Sequence, residues 1–243
     1  MTWYKDWFNS KNYLRVYSHR NQEEAERLVD LIAKILNLPA NSSVLDMACG
    51  AGRHAVTFAK MGYKVTAVDL SHLLISEAKK NADQEGVELD FVLCDILEFE
   101  TNKKFDLTVN LFTSIGYFDN DEENYAVIKK AYDLLKSGGY FVLDYFNKEF
   151  LLKNLISMTV FSENGLKIIQ NRSIEGTRIV KKITIANNDS SEEFNESVRL
   201  YSFEEIINYI KKAGFTIVKQ YGDYFGNNFE SESSPRLIIF AMK

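Results

Sequence analysis

The sequence has few of the residues that build disulfide or zinc scaffolds. Its 243 residues include two cysteines, Cys49 and Cys94, and three histidines. Two cysteines do not suggest a disulfide framework, and the scattered histidines lack the spacing of a zinc site. We therefore expect no bound metal and a soluble protein of the reducing cytoplasm.

The sequence also lacks an excess of positive charge and any long apolar run. Its formal net charge is −5, which argues against nucleic acid as the main partner, because phosphate backbones are bound by basic surfaces. No run of about 18 apolar residues occurs, so no membrane span is expected. The N-terminal residues are aromatic and polar, without the apolar middle of a signal peptide.

Apolar and aromatic residues, in contrast, are abundant. Hydrophobic residues make up 46% and charged residues 26% of the chain, as in a globular protein. The aromatics include 17 Phe and 13 Tyr, and those beyond the needs of a core are suited to lining a pocket for an organic substrate. We predict one domain over residues 1–243 that carries one insertion.

The first 150 residues alternate between strand and helix. Short apolar runs predict strands over residues 43–47, 63–70, 89–95, 105–112 and 140–147, with helices between them. This alternation predicts parallel strands with right-handed crossovers, and so a doubly wound, Rossmann-like α/β sheet. Ligands of such sheets lie at the carboxyl ends of the strands.

The pattern changes after about residue 155. Four β-like runs follow, and Asn164-Gly165 is a strong hairpin signal between the first two. We predict an antiparallel β insertion over residues 155–201 that either caps the mouth of the substrate site or forms a dimer face. A helix capped by Ser202 and two final strands complete the predicted fold.

A glycine loop follows the first predicted strand. Residues 46–55, "DMACGAGRHA", hold the pattern G-x-G-x-x-A from Gly50 to Ala55, and Asp69 follows Gly50 by 19 residues. This nearly matches the fingerprint of a nicotinamide dinucleotide site. Asp46 argues against that cofactor, because a carboxylate here would repel a pyrophosphate. It suits the positively charged amino acid end of S-adenosylmethionine (SAM), which carries no phosphate.

Acids at the ends of the next two predicted strands extend this interpretation. Asp69 suits a ribose diol, which both cofactors share, so it does not discriminate between them. Asp95 can accept a hydrogen bond from an adenine amino group, while Ile96 covers the face of the ring. Three strand-end acids around an adenosine favour SAM over a dinucleotide.

These motifs, in this order and spacing, resemble those of the class I SAM-dependent methyltransferases. The resemblance is carried by "VLDMACGAGRHA", "VTAVDLS", "LCDILEF" and "FDLTVNLFTSIGYF", and it covers nearly the whole chain. Within the class, the chain is similar to small-molecule N-methyltransferases with an antiparallel β insertion after strand five, such as glycine N-methyltransferase and the aminosugar N,N-dimethyltransferases. The resemblance implies a seven-stranded sheet whose last strand is antiparallel.

The resemblance also assigns the cofactor site. It implies that Arg20 pairs with the SAM carboxylate, and that Tyr13 or Tyr17 covers the methionyl part. The complete predicted site comprises Tyr13, Tyr17, Arg20, Asp46, Ala48, Gly50, Gly52, Arg53, Asp69, Leu70, Asp95, Ile96 and Leu111.

Tyr117 follows the fourth predicted strand, beside the place where the transferred methyl group should sit. It is the candidate catalytic residue, and the alternative is an aromatic wall without proton chemistry. We expect methyl transfer to a nitrogen or oxygen of a small organic molecule, with S-adenosylhomocysteine (SAH) as product. An amine is favoured because no His or Lys base is obvious. The alternative function is a non-catalytic SAM- or SAH-binding module, and either protein would be a monomer or homodimer.

Overall fold

The computed structural model describes residues 3–17, 22–187 and 190–243. Its strands are β1 (Ser43–Met47), β2 (Lys64–Asp69), β3 (Asp90–Leu93), β4 (Phe105–Asn110), β5 (Leu135–Phe146), β6 (Met158–Glu163), β7 (Leu166–Glu175), β8 (Arg178–Ala186), β9 (Ser191–Arg199), β10 (Thr216–Tyr221) and β11 (Arg236–Met242). Its helices are α1 (Trp3–Phe8), α2 (Lys11–Val16), α3 (Gln22–Leu36), α4 (Arg53–Lys60), α5 (His72–Glu85), α6 (Asp121–Leu134), α7 (Lys148–Lys153) and α8 (Phe203–Ala213).

Seven strands form the core sheet, in the order β10-β11-β5-β4-β1-β2-β3. Strands β1 to β5 pair in parallel, and β11 lies antiparallel between β5 and β10. The predicted Rossmann-like sheet with an antiparallel last strand is confirmed. Because the strand order reverses between β1 and β4, the loops after these strands diverge and leave a crevice at the carboxyl edge.

The predicted insertion after β5 is confirmed as a four-stranded antiparallel sheet in the order β6-β7-β8-β9. Its first hairpin turns at Asn164 and Gly165, whose φ angles of 49° and 77° are those of a two-residue turn that matches the twist of the strands. The pairs β6–β7, β7–β8 and β8–β9 follow the chain without a crossover.

Helix caps lie where the residue types predict them. The side chain of Ser71 accepts a hydrogen bond from Leu74 N at the start of α5, and Asn120 does the same for α6. At α8, Ser202 and Glu205 form a reciprocal capping box. Each cap satisfies a backbone N–H that has no partner within its helix.

The structure departs from the prediction at three short helices and at one strand. Helices α1, α2 and α7 were not predicted; each has six residues, too short for a clear apolar period. Strand β5 begins at Leu135, whereas the predicted strand begins at residue 140. The Gly138 N–H donates to Lys243 O, and Lys243 N–H donates to Gly139 O, so pairing beside the end of β11 extends the strand.

Helices α1 and α2 pack on the insertion. Trp7 and Val16 of these helices are buried with Ile168, Ile183 and Ile185 of the insertion in a separate apolar core. Two larger apolar clusters cover the faces of the core sheet. We call α1, α2 and β6–β9 together the lid. That residues 1–243 form one domain stays a prediction.

Among the helices of the described residues, none is both long and apolar enough to cross a membrane.

Candidate active site

A cavity lies between the carboxyl edge of the core sheet and the lid. Its volume is about 520 Å³, within the range of small-molecule sites. The ends of β1, β2 and β4 line one side, and side chains of α1, α2, β8 and β9 line the other. The predicted site residues that line it are Tyr13, Tyr17, Ala48, Gly50, Arg53, Asp69, Leu111 and Tyr117.

Several predicted site residues do not line this cavity. Those within the described residues are Asp46, Gly52, Leu70, Asp95 and Ile96. Asp95 is half-buried after β3, where its Oδ1 accepts a hydrogen bond from Leu97 N at 3.0 Å. Arg20 lies outside the described residues, so its contact with the SAM carboxylate stays a prediction.

The glycine loop has left-handed backbone at three positions. The φ angles are 64° at Ala48, 57° at Gly50 and 81° at Gly52, where side chains larger than hydrogen are strained. A Cβ atom at Gly52 would also lie 2.8 Å from the Cβ of Ala78 on α5. Gly52 therefore permits close packing of α5 against the loop, while Gly50 faces the cavity.

Asp69, at the end of β2, ties the glycine loop to its own strand. One carboxylate oxygen accepts a hydrogen bond from Gly50 N at 2.8 Å, and the other accepts one from Ser71 N at 2.9 Å. Burial, opposed by these backbone N–H groups, raises the pKa of Asp69, and the charge of Asp95 adds to the rise. Each oxygen retains accepting capacity, so Asp69 can also accept from a ligand.

Asp46, in β1, lies beneath the glycine loop and is only 1% exposed. Its Oδ2 has no hydrogen-bond partner among the described residues. Burial, followed by the charge of Asp69, raises the pKa of Asp46 to about 7, while the N–H of Ala55 acts in the opposite direction. This carboxyl therefore changes charge near neutral pH, and a cation brought to the loop would favour its ionised form.

The lid supplies a second, largely buried carboxylate, Glu196 of β9. It accepts hydrogen bonds from Trp7 Nε1 at 2.7 Å, from Lys181 Nζ at 2.6 Å and from the Tyr17 hydroxyl. Burial acts to raise its pKa, but the charge of Lys181 and the three donors hold the pKa below its usual range. Tyr17, the residue that ends α2, thus links that helix to the insertion at the cavity wall.

Tyr117 lies in an aromatic cluster on the lid side of the cavity. Its ring centroid is 5.3 Å from that of Trp3, 5.6 Å from that of Phe8 and 6.3 Å from that of Tyr4. These separations are typical of attractive edge-to-face and offset contacts. The candidate catalytic residue is therefore also a packed part of the cavity wall.

His54, at the start of α4, lines the cavity as a neutral imidazole. Burial, followed by the charges of Arg53 and Arg236, lowers its pKa to about 3. An imidazole with this pKa is a weak base at neutral pH. Across residues 3–17, 22–187 and 190–243, no group of three or more His, Cys, Asp or Glu side chains could hold a metal ion.

The sequence reasoning missed two charged clusters at this cavity. One is the Glu196 group of the lid, and the other joins Asp144, Arg236 and Tyr224 beside the loop that follows β4. Asp144 could have been predicted as a site residue, because it lies near the end of a predicted strand, as Asp69 and Asp95 do. Glu196 had no such signal, because its partners Trp7 and Tyr17 are remote in sequence.

Comparison with known proteins identifies the chemistry of this fold. Residues 44–139, from β1 into β5, match the family described as "Methyltransferase domain". A putative methyltransferase of Geobacillus sp. (strain WCH70) is 25% identical over 209 residues, which cover 82% of this chain and 84% of that protein. The chain is a methyltransferase with the Rossmann-like fold of the class I SAM-dependent enzymes.

Two relatives of this methyltransferase match over about half its length. A Streptomyces venezuelae dTDP-3-amino-3,4,6-trideoxy-α-D-glucopyranose N,N-dimethyltransferase is 30% identical, covering 50% of this chain and 48% of that protein. A ubiquinone biosynthesis O-methyltransferase of Xanthomonas axonopodis pv. citri (strain 306) is 30% identical over 45% of each chain. One is named for transfer to nitrogen and the other for transfer to oxygen.

Solved structures agree on the fold over the whole length of the methyltransferase. A SAM-dependent methyltransferase from Clostridium acetobutylicum ATCC 824 has a TM-score of 0.80 at 19% identity, covering 95% of this chain and 97% of that chain. The SAM-bound aminopentose methyltransferase CalS10 from Micromonospora echinaspora has a TM-score of 0.69 at 20% identity, covering 96% and 97%. Both of these proteins are SAM-dependent or SAM-bound by name, and the chain shares their fold.

Proposed function

We propose that this methyltransferase transfers the methyl group of SAM to the nitrogen of a small organic amine. The observation that carries this proposal is the state of the titratable groups around the cavity. His54 is a neutral, weak base, and Glu196 is held ionised by three donors. A hydroxyl acceptor needs a base to take its proton, whereas a neutral amine already presents its lone pair.

The shape of the cavity supports a small acceptor. Aromatic side chains of α1 and α2 and strands of the insertion close the side that faces the strand ends. Its volume of about 520 Å³ leaves room for a small molecule beside the cofactor, and enclosure by apolar walls excludes water from the transfer.

The residues at the strand ends fit SAM. The left-handed backbone at Ala48 and Gly50 supports close approach of a ligand to the loop, and in this proposal Asp69 would accept from a ribose diol. The unpartnered Oδ2 of Asp46 beneath the loop matches the positive charge of the methionyl amino group. Asp95 and Ile96 do not line the described cavity, so their contact with adenine stays a prediction, as does that of Arg20 with the carboxylate.

When bound, SAM supplies an activated methyl group, so the chain mainly has to align the acceptor. Tyr117, packed against Trp3 and Phe8, forms the wall beside which the amine would lie. We assign this tyrosine to acceptor contact and alignment, with its ring as the essential part. Residues 155–201 serve in this proposal as a subdomain inserted into a single domain.

The test is a screen for SAH release with a library of small amines, each paired with its hydroxyl analogue. We expect amines to be methylated at nitrogen, with a rate that rises with pH through the pKa of the acceptor amine. Mass spectrometry of the product identifies the methylated atom. An Asp69→Asn protein controls for contaminating activity. Faster turnover of the hydroxyl analogues would contradict the proposal.

A further inference from the structure

The turn that follows β4 has an unusual backbone. Phe112 and Thr113 are consecutive residues other than glycine, and both have φ angles of 60°. This left-handed region is uncommon for bulky residues and a marked outlier for a β-branched one such as Thr113. Such a conformation persists only where the surroundings enforce it, and it clusters at functional sites.

Asp144, near the end of the neighbouring strand β5, bonds both residues of the turn. Its Oδ2 accepts a hydrogen bond from Phe112 N at 2.9 Å, and its backbone carbonyl accepts one from Thr113 N at 2.9 Å. The Asp144 side chain is fully buried. The turn is thus fixed at both backbone N–H groups by one residue.

Two further side chains complete this arrangement. Arg236, at the start of β11, donates from Nε to Asp144 Oδ1 at 2.8 Å and from Nη2 to Thr113 Oγ1 at 3.0 Å. The Tyr224 hydroxyl donates to Asp144 Oδ2 at 2.9 Å. We call Asp144, Arg236 and Tyr224 the Asp144 clamp. Because the charge of Arg236 is paired with that of the fully buried Asp144, the geometry is costly to disturb.

The clamped turn is part of the cavity wall. Leu111, Phe112, Thr113 and Ser114 all line the cavity, and so does Arg236. Two guanidinium groups lie near the Phe112 ring, with the Arg53 carbon 5.3 Å and the Arg236 carbon 5.6 Å from the ring centroid. A turn that relaxed from φ 60° would carry the Phe112 ring away from both cations.

We propose that Asp144 is a positioning residue for methyl transfer: through the clamp it holds the Phe112–Thr113 turn in its left-handed conformation, and the turn sets the wall against which cofactor and acceptor are aligned. This inference rests on the proposed function in placing both molecules in this cavity. Asp144 acts through the turn and does not itself line the cavity.

The test compares SAH binding to Asp144→Asn, Asp106→Asn and the unchanged protein by calorimetry. Asp144→Asn keeps the size of the side chain but removes its charge, so the turn is held less firmly; we expect SAH affinity to fall about 10-fold. Asp106 is a matched control, because it also binds a backbone N–H and a basic side chain, Ser43 N and Lys136 Nζ, but at the opposite edge of the sheet. Its variant should bind SAH normally.

A second substitution separates positioning from general damage. Asn adopts left-handed backbone more readily than Thr and retains a side-chain acceptor for Arg236. Adding Thr113→Asn to Asp144→Asn should therefore restore SAH affinity to within about 3-fold of the unchanged protein. Normal binding by folded Asp144→Asn, or no recovery in the double variant, would overturn the inference.

Tyr224→Phe covers the case in which Asp144→Asn does not fold. It removes one hydrogen bond from the clamp without changing charge, and we expect about a 3-fold loss of SAH affinity that Thr113→Asn again recovers. Unchanged binding by Tyr224→Phe would then count against the clamp. The measurement uses no acceptor, so a failed amine screen leaves this result intact and the two proposals fail separately.

Discussion

Two carboxylates, one fully buried in the core and one largely buried in the lid, have nearly the same set of hydrogen-bond donors. Asp144 accepts hydrogen bonds from an arginine, a tyrosine hydroxyl and a backbone N–H. Glu196 accepts from Lys181, the hydroxyl of Tyr17 and an indole N–H. In both cases one cation balances the charge, and neutral donors satisfy the remaining lone pairs, as burial of a carboxylate requires.

The two clusters differ in what they join. The partners of Asp144 come from the core sheet and its loops, so that cluster fixes a strained turn within one compact region. Glu196 joins Trp7 across 189 positions of sequence, and so holds the N-terminal helices on the insertion. The same chemistry therefore sets local shape in the core and assembles separate segments in the lid.

The largest effect is expected from Asp144→Ala. Removal of one partner of a buried ion pair leaves Arg236 without its countercharge, which should lower the free energy of unfolding by about 3–5 kcal/mol. Urea unfolding followed by circular dichroism measures this. A loss below about 1 kcal/mol would show that the clamp region relaxes or admits water, and that the core cluster is no firmer than a surface pair.

Glu196→Ala should instead act locally. The side chains of Lys181 and Glu196 are 17% and 13% exposed, so we expect a loss of about 1–3 kcal/mol, confined to the lid. Amide hydrogen exchange should speed up in α1 and α2 while the strands of the core sheet keep their protection. Equal acceleration across the core would contradict the contrast between the two clusters.

Asp46 is a third buried carboxyl, and its Oδ2 has no hydrogen-bond partner among the described residues. Its pKa of about 7 should fall when the positively charged end of SAH arrives, because an opposite charge favours the ionised form. Binding should then release up to one proton below pH 7, and SAH affinity should rise with pH, by about 10-fold per unit at most, and level off above pH 7. Calorimetry in buffers of different ionisation enthalpy measures the proton.

Asp46→Asn is the control for this prediction, because it keeps the side chain's size and removes its titration. Proton release should disappear in that variant. Release that persisted with Asn at position 46 would assign it to another group, and Asp46 would then be a structural residue beneath the glycine loop.

The smallest effects are expected from the two tyrosine hydroxyls. Tyr224→Phe and Tyr17→Phe each remove one hydrogen bond from a buried carboxylate, which should cost about 0.5–1.5 kcal/mol. Unfolding should report the first, and exchange in α1 and α2 the second. If both substitutions lowered the global free energy of unfolding by the same amount, the lid and core would unfold as one unit. The distinction between the two clusters would then fail.

The fold was predictable wherever a local pattern determines it. Strand β1 was predicted at its observed bounds, because a short apolar run ends at a glycine loop, and the hairpin at Asn164 follows from turn chemistry. The extension of β5 to Leu135 was not predictable, because it depends on pairing with the end of β11. A local sequence pattern does not determine which remote strand a given strand will pair with.

The candidate site was predictable in part for the same reason. Asp69 and Gly50 lie in motifs with a local mechanism, and both line the cavity. Tyr224 was not among the predicted site residues, yet its hydroxyl donates a hydrogen bond to Asp144. The contact between Glu196 and Trp7 has no signature in either segment, since it depends on tertiary packing alone.

The long sequence separation within the lid has a consequence for the order of folding. Contacts between distant segments form late, because the chain must first lose the entropy of closing the intervening loop. The parallel core strands β1 to β4 lie within residues 43–110, so they can associate before the lid is assembled. We expect the N-terminal helices to dock only after β9 has formed. A kinetic intermediate would then have an ordered core sheet, an open cavity and exposed aromatic side chains, and stopped-flow fluorescence of Trp3 and Trp7 would report the final docking step.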